Sequence, residues 1–385
     1  MAKKIQVTHL MRTYGTHGGE QQLSQYFGAE PRGEVSETFV FLYRDPPCAR
    51  LFASRAPRLK QLELFQWPLA TGTAWREFTM LLLLLPWLQF RFFALAWRLR
   101  PAVVVVHGFQ AAFVAWPAAI LFRGIRWVYL HRITKSATGS NRLFHLIYQP
   151  YDVIAGNSQA VMASLEPVAG TERLASIDNG LDWRRFDART RVPLAPLPEA
   201  AGLVLVSVGR LLPHKGQAML IDAFERMAGR FPDAVLWVAG EGPEMKSLRR
   251  RAGASPAGSR IHLLGHREDV PAVLARADVF VNTSAWEGMS NAVLEGMAAG
   301  LPAVVCDAPG VTECHIDGVT ALVVKRDPGD LATALARLLG DAELRRRMGA
   351  AARERAKKNY SMEANRRRYL EVFGRLTGRN VCAEF

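Results

Sequence analysis

The chain alternates short apolar runs with longer amphipathic stretches. In its first half, this pattern predicts strands at residues 5–10, 37–42, 102–106, 127–130 and 153–155, and helices at residues 20–27, 110–122 and 159–165. A regular alternation of strand and helix predicts a parallel sheet with helices on both faces. Residues 189–202 then break the pattern with three prolines and no periodicity, which is typical of a boundary between domains.

A second series of strands and helices follows this boundary. Strands are predicted at residues 203–208, 235–239, 261–264, 279–282, 303–306 and 321–324, and helices at residues 217–230, 244–251, 270–276, 291–299, 330–339 and 342–358. The pattern predicts an α/β chain with two Rossmann-like domains, at residues 1–188 and 203–358. A ligand is expected in the cleft between them. A last helix at 362–376 falls in a C-terminal segment, residues 359–385.

One apolar segment complicates this picture. Residues 78–90 form a run of 13 residues without a charge, and after Arg91 the apolar sequence continues to Trp97. A membrane span needs about 20 apolar residues, and Pro86 and Arg91 suit a lipid-exposed helix poorly. Two interpretations are open. The strand that follows directly favours a buried helix of the α/β domain, whereas the tryptophans and arginines in and around the segment would suit a helix in a membrane interface.

Composition and charge narrow the class of protein. With 49% hydrophobic residues among 385, the chain is neither disordered nor of low complexity. Its net charge of +14 favours an anionic partner. Residues 1–190 carry 22 basic and 13 acidic side chains, residues 191–339 carry 15 and 16, and residues 340–385 carry 12 and 6. The four cysteines form no C-x-x-C pair, which indicates a reducing, cytoplasmic setting.

The strongest motif is WEGMSNAVLE, residues 286–295, which follows a predicted strand and opens a predicted helix. Glu287 and Glu295 stand eight residues apart in it. Between them lie first-turn backbone N–H groups that suit an anion, those of Gly288, Met289, Ser290, Asn291 and Ala292. A phosphate flanked by hydroxyl-binding carboxylates indicates a nucleotide-sugar site. The simpler alternative is that Glu287 only stabilises the helix N-terminus.

A second motif, GRLLPHKG at residues 209–216, also follows a predicted strand. Arg210 and Lys215 place two cations at the carboxyl end of that strand, where they suit a diphosphate, although a solvated loop would have the same composition. No Asp-x-Asp occurs in the sequence, so we expect no metal at this site.

The first half offers weaker candidates. Gly18 and Gly19 precede the first predicted helix and allow a close approach of the backbone to a ligand, but they do not complete a G-x-G-x-x-G fingerprint. His107 and His131 each follow a predicted strand. A single histidine in this position is either structural or part of a binding site.

Taken together, these residues resemble the retaining glycosyltransferases of family four, which have the GT-B fold. The resemblance covers nearly the whole chain and is most specific in the E-x7-E element from Glu287 to Glu295. It extends to GMAAGLP (296–302), VAGEGPE (238–244), PGVTECHIDGVTALVV (309–324) and GGEQQLS (18–24). The resemblance implies an acceptor-binding domain at 1–188, a nucleotide-sugar-binding domain at 203–358, and a C-terminal helix that returns to the first domain.

The resemblance also implies roles for the matching residues. In the donor site, Glu295 would bind the ribose, Glu287 the transferred sugar, the backbone around residues 289–292 the sugar and phosphate, and Arg210 with Lys215 the diphosphate. Gly18 and Gly19 would face the donor phosphate or the acceptor. His131 would approach the sugar, and the expected catalytic residues are His131, Glu287, Arg210 and Lys215. Apart from the resemblance, His107 and His131 are candidates for the acceptor side.

We therefore expect a retaining, metal-independent hexosyl- or N-acetylhexosaminyltransferase that acts by front-face attack and needs no cofactor. A UDP-sugar is preferred over a GDP-sugar as its donor, and a glycan or polyprenyl-linked molecule of cell-surface polysaccharide or lipopolysaccharide synthesis is the expected acceptor. The basic ends of the chain and the apolar segment predict peripheral association with the anionic inner face of the cytoplasmic membrane. A non-catalytic nucleotide-sugar-binding protein is the main alternative, and a nucleic-acid-binding protein is a weaker one because no such motif is present.

Overall fold

The computed structural model describes residues 4–13, 18–29, 34–66, 74–132, 142–191 and 196–379, without the side chains of residues 74–78 and 142–144. These residues form two compact units. The first consists of the chain up to residue 180 and from residue 362 onward, and the second of residues 181–361.

The first unit contains, in chain order, β1 (Ile5–Met11), α1 (Gly18–Gly28), β2 (Val35–Tyr43), α2 (Pro46–Arg55), β3 (Lys60–Phe65), α3 (Ala74–Leu99), β4 (Val103–His107), α4 (Phe109–Leu121), β5 (Arg126–His131), α5 (Arg142–Tyr148), β6 (Val153–Gly156), α6 (Gln159–Ala169) and β7 (Leu174–Ser176). The second contains α7 (Trp183–Thr190), β8 (Val204–Val208), α8 (Gln217–Ala228), β9 (Val235–Ala239), α9 (Met245–Ala254), β10 (Ile261–Gly265), α10 (Val270–Leu274), β11 (Val279–Asn282), α11 (Asn291–Ala298), β12 (Ala303–Cys306), β13 (Ala321–Val324), α12 (Pro328–Gly340) and α13 (Ala342–Asn359). The chain then returns to the first unit with α14 (Met362–Thr377).

Each unit is built on one parallel sheet. Among the described residues, the first sheet has the strand order β3-β2-β1-β4-β5-β6-β7 and the second the order β10-β9-β8-β11-β12-β13. Hydrophobic cores lie on both faces of each sheet. In β4, for example, all four consecutive valines are buried, as expected of a strand that is covered on both sides. The predicted α/β fold with two parallel-sheet domains is confirmed.

The boundaries between the units differ from those expected. Residues 181–188, expected in the first domain, and the predicted linker at 189–202 belong to the second unit. The reason is packing, because Leu181 and Phe186 are buried in the core of the second unit. Residues 192–195 of the predicted linker and 380–385 of the C-terminal segment lie outside the described residues.

The last helix, α14, packs within the first unit. Its residues Tyr369 and Phe373 are buried with Tyr26 and Phe27 of α1, on the face of the sheet that α2 also covers. The rings of Tyr26 and Tyr369 lie 4.5 Å apart. The face of this sheet between α1 and α2 therefore depends on residues from the far end of the chain.

The helix α3 is buried on one side only. Leu81, Leu88, Phe92 and Ala96 recur on one face and are buried in the core, as the buried-helix interpretation requires. Other large apolar side chains are exposed, namely Leu82 (52%), Leu83 (73%), Phe90 (68%) and Trp97 (60%). The buried-helix interpretation therefore holds for one face of α3, and the other face is exposed. Within the described residues, Thr79–Leu99 is long and apolar enough to cross a membrane, a criterion that core helices of soluble proteins also meet.

Candidate functional site

The two strongest motifs lie at the point where the strand order of the second sheet reverses. β8 and β11 are hydrogen-bonded neighbours at the centre of the sheet, and the chain continues from them in opposite directions. The loop after β8 carries Arg210 and Lys215, and the loop after β11 carries Glu287. In open parallel sheets, ligands bind at the carboxyl ends of the strands on either side of such a point.

Lys215 and Glu287 form an ion pair across these two loops. The Lys215 ammonium donates a hydrogen bond to Oε1 of Glu287, and the Ser284 hydroxyl donates to the same oxygen at 2.8 Å. The side chains of Lys215 and Glu287 are largely buried. The structure thus brings together two residues that the sequence analysis placed in separate motifs.

Further contacts hold the two loops in register. The Thr283 hydroxyl donates to the Lys215 carbonyl at 2.8 Å, and the Ala285 N–H donates to the His214 carbonyl at 2.7 Å. The rings of His214 and Trp286 stack with their centroids 4.1 Å apart and their planes 12° from parallel. The sequence analysis missed this stack. In the sequence, the stack is indicated only by the positions of the two residues, since His214 directly precedes Lys215 and Trp286 directly precedes Glu287.

Gly310 lies directly against the backbone of the loop that carries Glu287. The Glu287 N–H donates to the Pro309 carbonyl at 2.9 Å, and Gly310 has a left-handed conformation with φ of +74°. A Cβ at Gly310 would lie 2.2 Å from the Glu287 carbonyl oxygen and 2.1 Å from that of Gly288. Only glycine fits at this position without displacing the loop.

The helix α11 begins directly after this loop. Its N-cap residue Ser290 and the preceding Met289 are buried, and the Ser290 side chain makes no capping hydrogen bond. Asn291 and Ala292 occupy its first turn, and Glu295 is half-buried within the helix. Because helix N-termini bind anions, this end of α11, the adjacent Gly288 and Lys215 are suited to a phosphate.

The remaining residue of the predicted donor site is Arg210, whose side chain is exposed. The Arg210 carbonyl accepts a hydrogen bond from the Gln217 side chain at 3.1 Å, which ties its loop to the start of α8. Among the described residues, no group of three or more His, Cys, Asp or Glu side chains is placed to hold a metal. The roles assigned to individual donor-site residues stay predictions.

The other candidates lie at the carboxyl edge of the first sheet. Gly18 and Gly19 begin α1, and the Gly19 carbonyl accepts a hydrogen bond from Arg132 at 3.1 Å. His131 ends β5 and is buried, with its Nδ1 atom 3.4 Å from the hydroxyl groups of both Tyr129 and Tyr148. The two tyrosines lie beside the imidazole ring of His131, and the sequence analysis did not predict this contact.

His107 ends β4 and lies in a buried polar chain that the sequence analysis also missed. Its Nε2 atom is 3.1 Å from Nδ1 of His9, and Nε2 of His9 is 3.2 Å from Oε1 of Glu37. Burial lowers the pKa of His107 well below its usual value, and the charges of His9 and Arg132 act in the same direction. Glu37 and His9 stood in predicted strands, where nothing marked them as interacting.

Comparison with known protein families gives a match that lies within the second unit. Residues 197–355 match the family model described as glycosyl transferases group 1. The chain is 35% identical over 238 residues to a GDP-mannose-dependent alpha-(1-6)-phosphatidylinositol monomannoside mannosyltransferase of Mycolicibacterium smegmatis, covering 57% of this chain and 59% of that relative. It is 30% identical over 184 residues to a UDP-Gal:alpha-D-GlcNAc-diphosphoundecaprenol alpha-1,3-galactosyltransferase of Escherichia coli, covering 45% of this chain and 46% of that relative.

The fold is shared with solved structures over almost the full length. The Anabaena protein HepE in complex with UDP has a TM-score of 0.78 at 18% identity, covering 96% of this chain and all of that chain. A glycosyltransferase from Rickettsia africae has a TM-score of 0.80 at 12% identity, covering 98% and 100%. The sequence alignments span about three fifths or less of the two relatives' length. The chain has the GT-B fold of these solved structures, and its residues 197–355 match the model of glycosyl transferases group 1.

Proposed function

We propose that this protein is a retaining glycosyltransferase that transfers a sugar from a nucleoside diphosphate to a lipid-linked or glycan acceptor. The observation that carries the proposal is the Lys215–Glu287 pair beside the N-terminus of α11, at the reversal point of the second sheet. A buried cation and a carboxylate next to a helix N-terminus can hold a diphosphate and a sugar hydroxyl together. All of these residues lie within the matched family region.

In this proposal the second unit binds the donor. Lys215, Arg210 and the backbone at the start of α11 neutralise the diphosphate, while Glu295 accepts hydrogen bonds from the ribose and Glu287 from the transferred sugar. The family members named above include users of GDP-mannose and of UDP-galactose, and the Anabaena structure contains UDP. We propose that the protein prefers UDP-sugars over GDP-sugars as donors.

The reaction proceeds by attack on the face of the sugar from which the diphosphate leaves. The acceptor hydroxyl oxygen forms a bond to the anomeric carbon as the bond from that carbon to the phosphate oxygen breaks. The bonding electrons leave with the nucleoside diphosphate, and its phosphate oxygen takes the proton of the acceptor hydroxyl. Lys215, Arg210 and the helix N-terminus stabilise the charge that develops on the leaving group, so the step needs no metal.

The first unit supplies the acceptor side in this proposal. Gly18, Gly19, His107 and His131 lie at the carboxyl edge of its sheet, where loops between strands and helices carry binding residues. The relatives that act on phosphatidylinositol mannosides and diphosphoundecaprenol-linked sugars support a lipid-linked acceptor.

A ligand screen tests the donor site. We expect UDP-sugars to raise the melting temperature of the protein more than ADP- or GDP-sugars do. A ligand at 100 times its Kd stabilises a protein by about 2.7 kcal/mol, so the nucleotide-sugar that binds most tightly gives the largest shift. Lys215→Met should abolish most of this shift. Lys246→Met, which removes an exposed lysine of α9 in the same unit, should leave it unchanged. Failure of every nucleotide-sugar to stabilise the wild type would refute the donor site.

Product analysis tests the reaction itself. With a donor identified by the screen, NMR of the product should show that the anomeric configuration of the donor is kept. An inverted product would refute front-face attack. Donor binding without hydrolysis or transfer to any acceptor would instead identify a nucleotide-sugar-binding protein.

We also propose that the exposed face of α3 binds the surface of an anionic membrane. Leu82, Leu83 and Phe90 are exposed on it, and the guanidinium group of Arg91 lies 5.1 Å from the Trp87 ring centroid. Apolar side chains flanked by arginines suit the interface of an anionic bilayer.

Vesicle flotation tests this surface. The wild type should bind phosphatidylcholine vesicles that contain phosphatidylglycerol, and salt should weaken the binding. Leu83→Ser with Phe90→Ser should abolish it, whereas Val319→Ser, which changes an exposed apolar residue of the second unit, should not. Equal binding by the wild type and the double variant would refute the role of α3 and leave the transferase proposal intact.

A further inference from the structure

The side chain of Arg326 reaches the two loops of the candidate donor site from a third loop. Arg326 lies two residues after β13, and β12 separates β13 from β11 in the sheet. Its Nε atom donates a hydrogen bond to the Thr283 carbonyl at 3.4 Å. Its Nη2 atom lies so close to Gly216 that a Cβ there would be 3.2 Å away. Because Gly216 directly follows Lys215, Arg326 lies beside the ion pair of the site.

The thiol of Cys306 also reports the position of this guanidinium group. Cys306 is the last residue of β12, the strand that lies between β11 and β13. Burial raises the pKa of the thiol to about 11, although the positive charge of Arg326 acts to lower it. The charge of Arg326 therefore acts at the carboxyl edge of the second sheet, where the ligand site is expected.

The guanidinium group of Arg326 has unused capacity to donate hydrogen bonds. The side chain is exposed, and the long bond from Nε to the Thr283 carbonyl leaves its terminal nitrogens available. It forms no ion pair with any carboxylate in the part of the chain that the structure describes. Other arginines of the same unit do, since Arg251 pairs with Asp222. A cation without a carboxylate partner at a ligand-binding edge suits an anionic ligand.

The charges of the predicted donor site leave room for a further cation. Arg210 and Lys215 are offset by Glu287 and Glu295, and Lys215 is already paired with Glu287. The diphosphate of a nucleotide-sugar carries an ionised oxygen on each of its phosphates. The N-terminus of α11 supplies a partial charge of about +0.5. Arg326 adds a whole positive charge beside the same loops, so the site with Arg326 is better matched to this dianion.

We propose that Arg326 binds a phosphate oxygen of the donor diphosphate. This role rests on the proposed function and adds a residue to the donor site. The bond from Nε to the Thr283 carbonyl holds the planar group, and its terminal nitrogens can then bind oxygens of the ligand in a fork. Arg326 also stabilises the charge that develops on the diphosphate as it leaves.

Binding of nucleotides and of their phosphate-free nucleosides tests this role. UDP and GDP are titrated by calorimetry, and uridine and guanosine by ligand-observed NMR, which reaches weak affinities. In Arg326→Met, the Kd of the diphosphate that binds the wild type should rise roughly tenfold, because a charge-assisted hydrogen bond is lost. The Kd of the corresponding nucleoside should not change, because the nucleoside has no phosphate.

Lys325→Met is the matched control. It removes an exposed cation from the preceding position, whose side chain makes no hydrogen bond or ion pair with described residues. The Kd values of the nucleotide and the nucleoside should both stay as in the wild type. Urea unfolding should give the same free energy of unfolding for Lys325→Met and Arg326→Met.

The possible results separate this role from the proposed function. A diphosphate Kd that is equal in the wild type and Arg326→Met would overturn the role of Arg326 and leave the donor site intact. Equal weakening of nucleotide and nucleoside in Arg326→Met, with a lower free energy of unfolding, would identify Arg326 as a support of the Thr283 loop and also overturn it. A wild type that binds neither UDP nor GDP would instead refute the donor site itself.

Discussion

Gly310 offers a direct test of how the backbone supports the donor site. Its φ of +74° is the left-handed region, and a Cβ there would lie 2.1 Å and 2.2 Å from the carbonyl oxygens of Gly288 and Glu287. Gly310→Ala therefore introduces both backbone strain and a collision with the loop that carries Glu287. Gly318 is a matched control, because its φ is +70° and a Cβ there would meet nothing within 4 Å.

The two substitutions separate the strain from the collision. A non-glycine residue in the left-handed region costs about 1 to 2 kcal/mol, which is the expected loss for Gly318→Ala. Forcing extra atoms into a packed site adds about 1 to 3 kcal/mol, so Gly310→Ala should lose about 2 to 5 kcal/mol. Because the carbonyl of Glu287 must move, Gly310→Ala should also weaken donor binding, whereas Gly318→Ala should not.

Hydrogen exchange and donor titration measure these effects. Exchange of peptides from residues 181–361 reports the stability of the second unit, and calorimetric titration with the donor found in the screen reports its Kd. Equal losses of stability in the two variants would refute the argument from the collision. An unchanged donor Kd in Gly310→Ala would show that the position of the Glu287 backbone does not matter for binding.

Three further predictions concern donor affinity, acid stability and a surface ion pair. Glu295→Ala should weaken donor binding at least tenfold without changing acceptor affinity, and an unchanged calorimetric donor Kd would contradict its assignment to the ribose. Burial and the charge of Arg355 lower the pKa of His315 from 6.5 to about 4, so the unfolded chain takes up a proton first and stability falls as the pH drops from 6.5 to 4. The expected loss of stability between these pH values is about 3 kcal/mol. Urea unfolding at pH 6.5 and pH 4 should show a smaller loss in His315→Asn than in the wild type, and equal losses would exclude His315 as the source of the effect. Asp187→Asn breaks a half-exposed ion pair with Arg353 and should lower the free energy of unfolding by less than about 1 kcal/mol in the same assay. A larger loss would show that this pair contributes more than an ordinary surface ion pair.

Much of the fold was predictable because parallel strands are continuous apolar runs. The valines of β4 and the strands β8, β9, β11 and β12 are of this kind. β3 was missed because it alternates polar and apolar residues at the edge of its sheet, and β7 because it has only three residues. The helix α2 was missed because two prolines begin it, although Asp45 caps it.

The site was predictable as two motifs but not as one arrangement. Lys215 and Glu287 are 72 residues apart, and only the order of the strands brings their loops together. The sequence pattern shows which strands exist but not which are neighbours. The same holds for Glu37, whose hydrogen-bond partners His9 and Tyr26 come from other elements. A single glutamate in an apolar strand carries no sign of these partners.

The return of α14 to the first unit has a consequence for how the protein can be divided. The backbone passes between the units near residues 180 and 361, and the Leu181 N–H donates to the Tyr360 carbonyl, so the two ends of the second unit lie side by side. Residues 181–361 are thus an uninterrupted insertion within the first unit. They can be excised as one piece, whereas a fragment that stops at residue 180 lacks Arg366 and Tyr369, which pack against Tyr26. An intact first unit therefore requires residue 180 to be joined to residue 362, with the insertion removed.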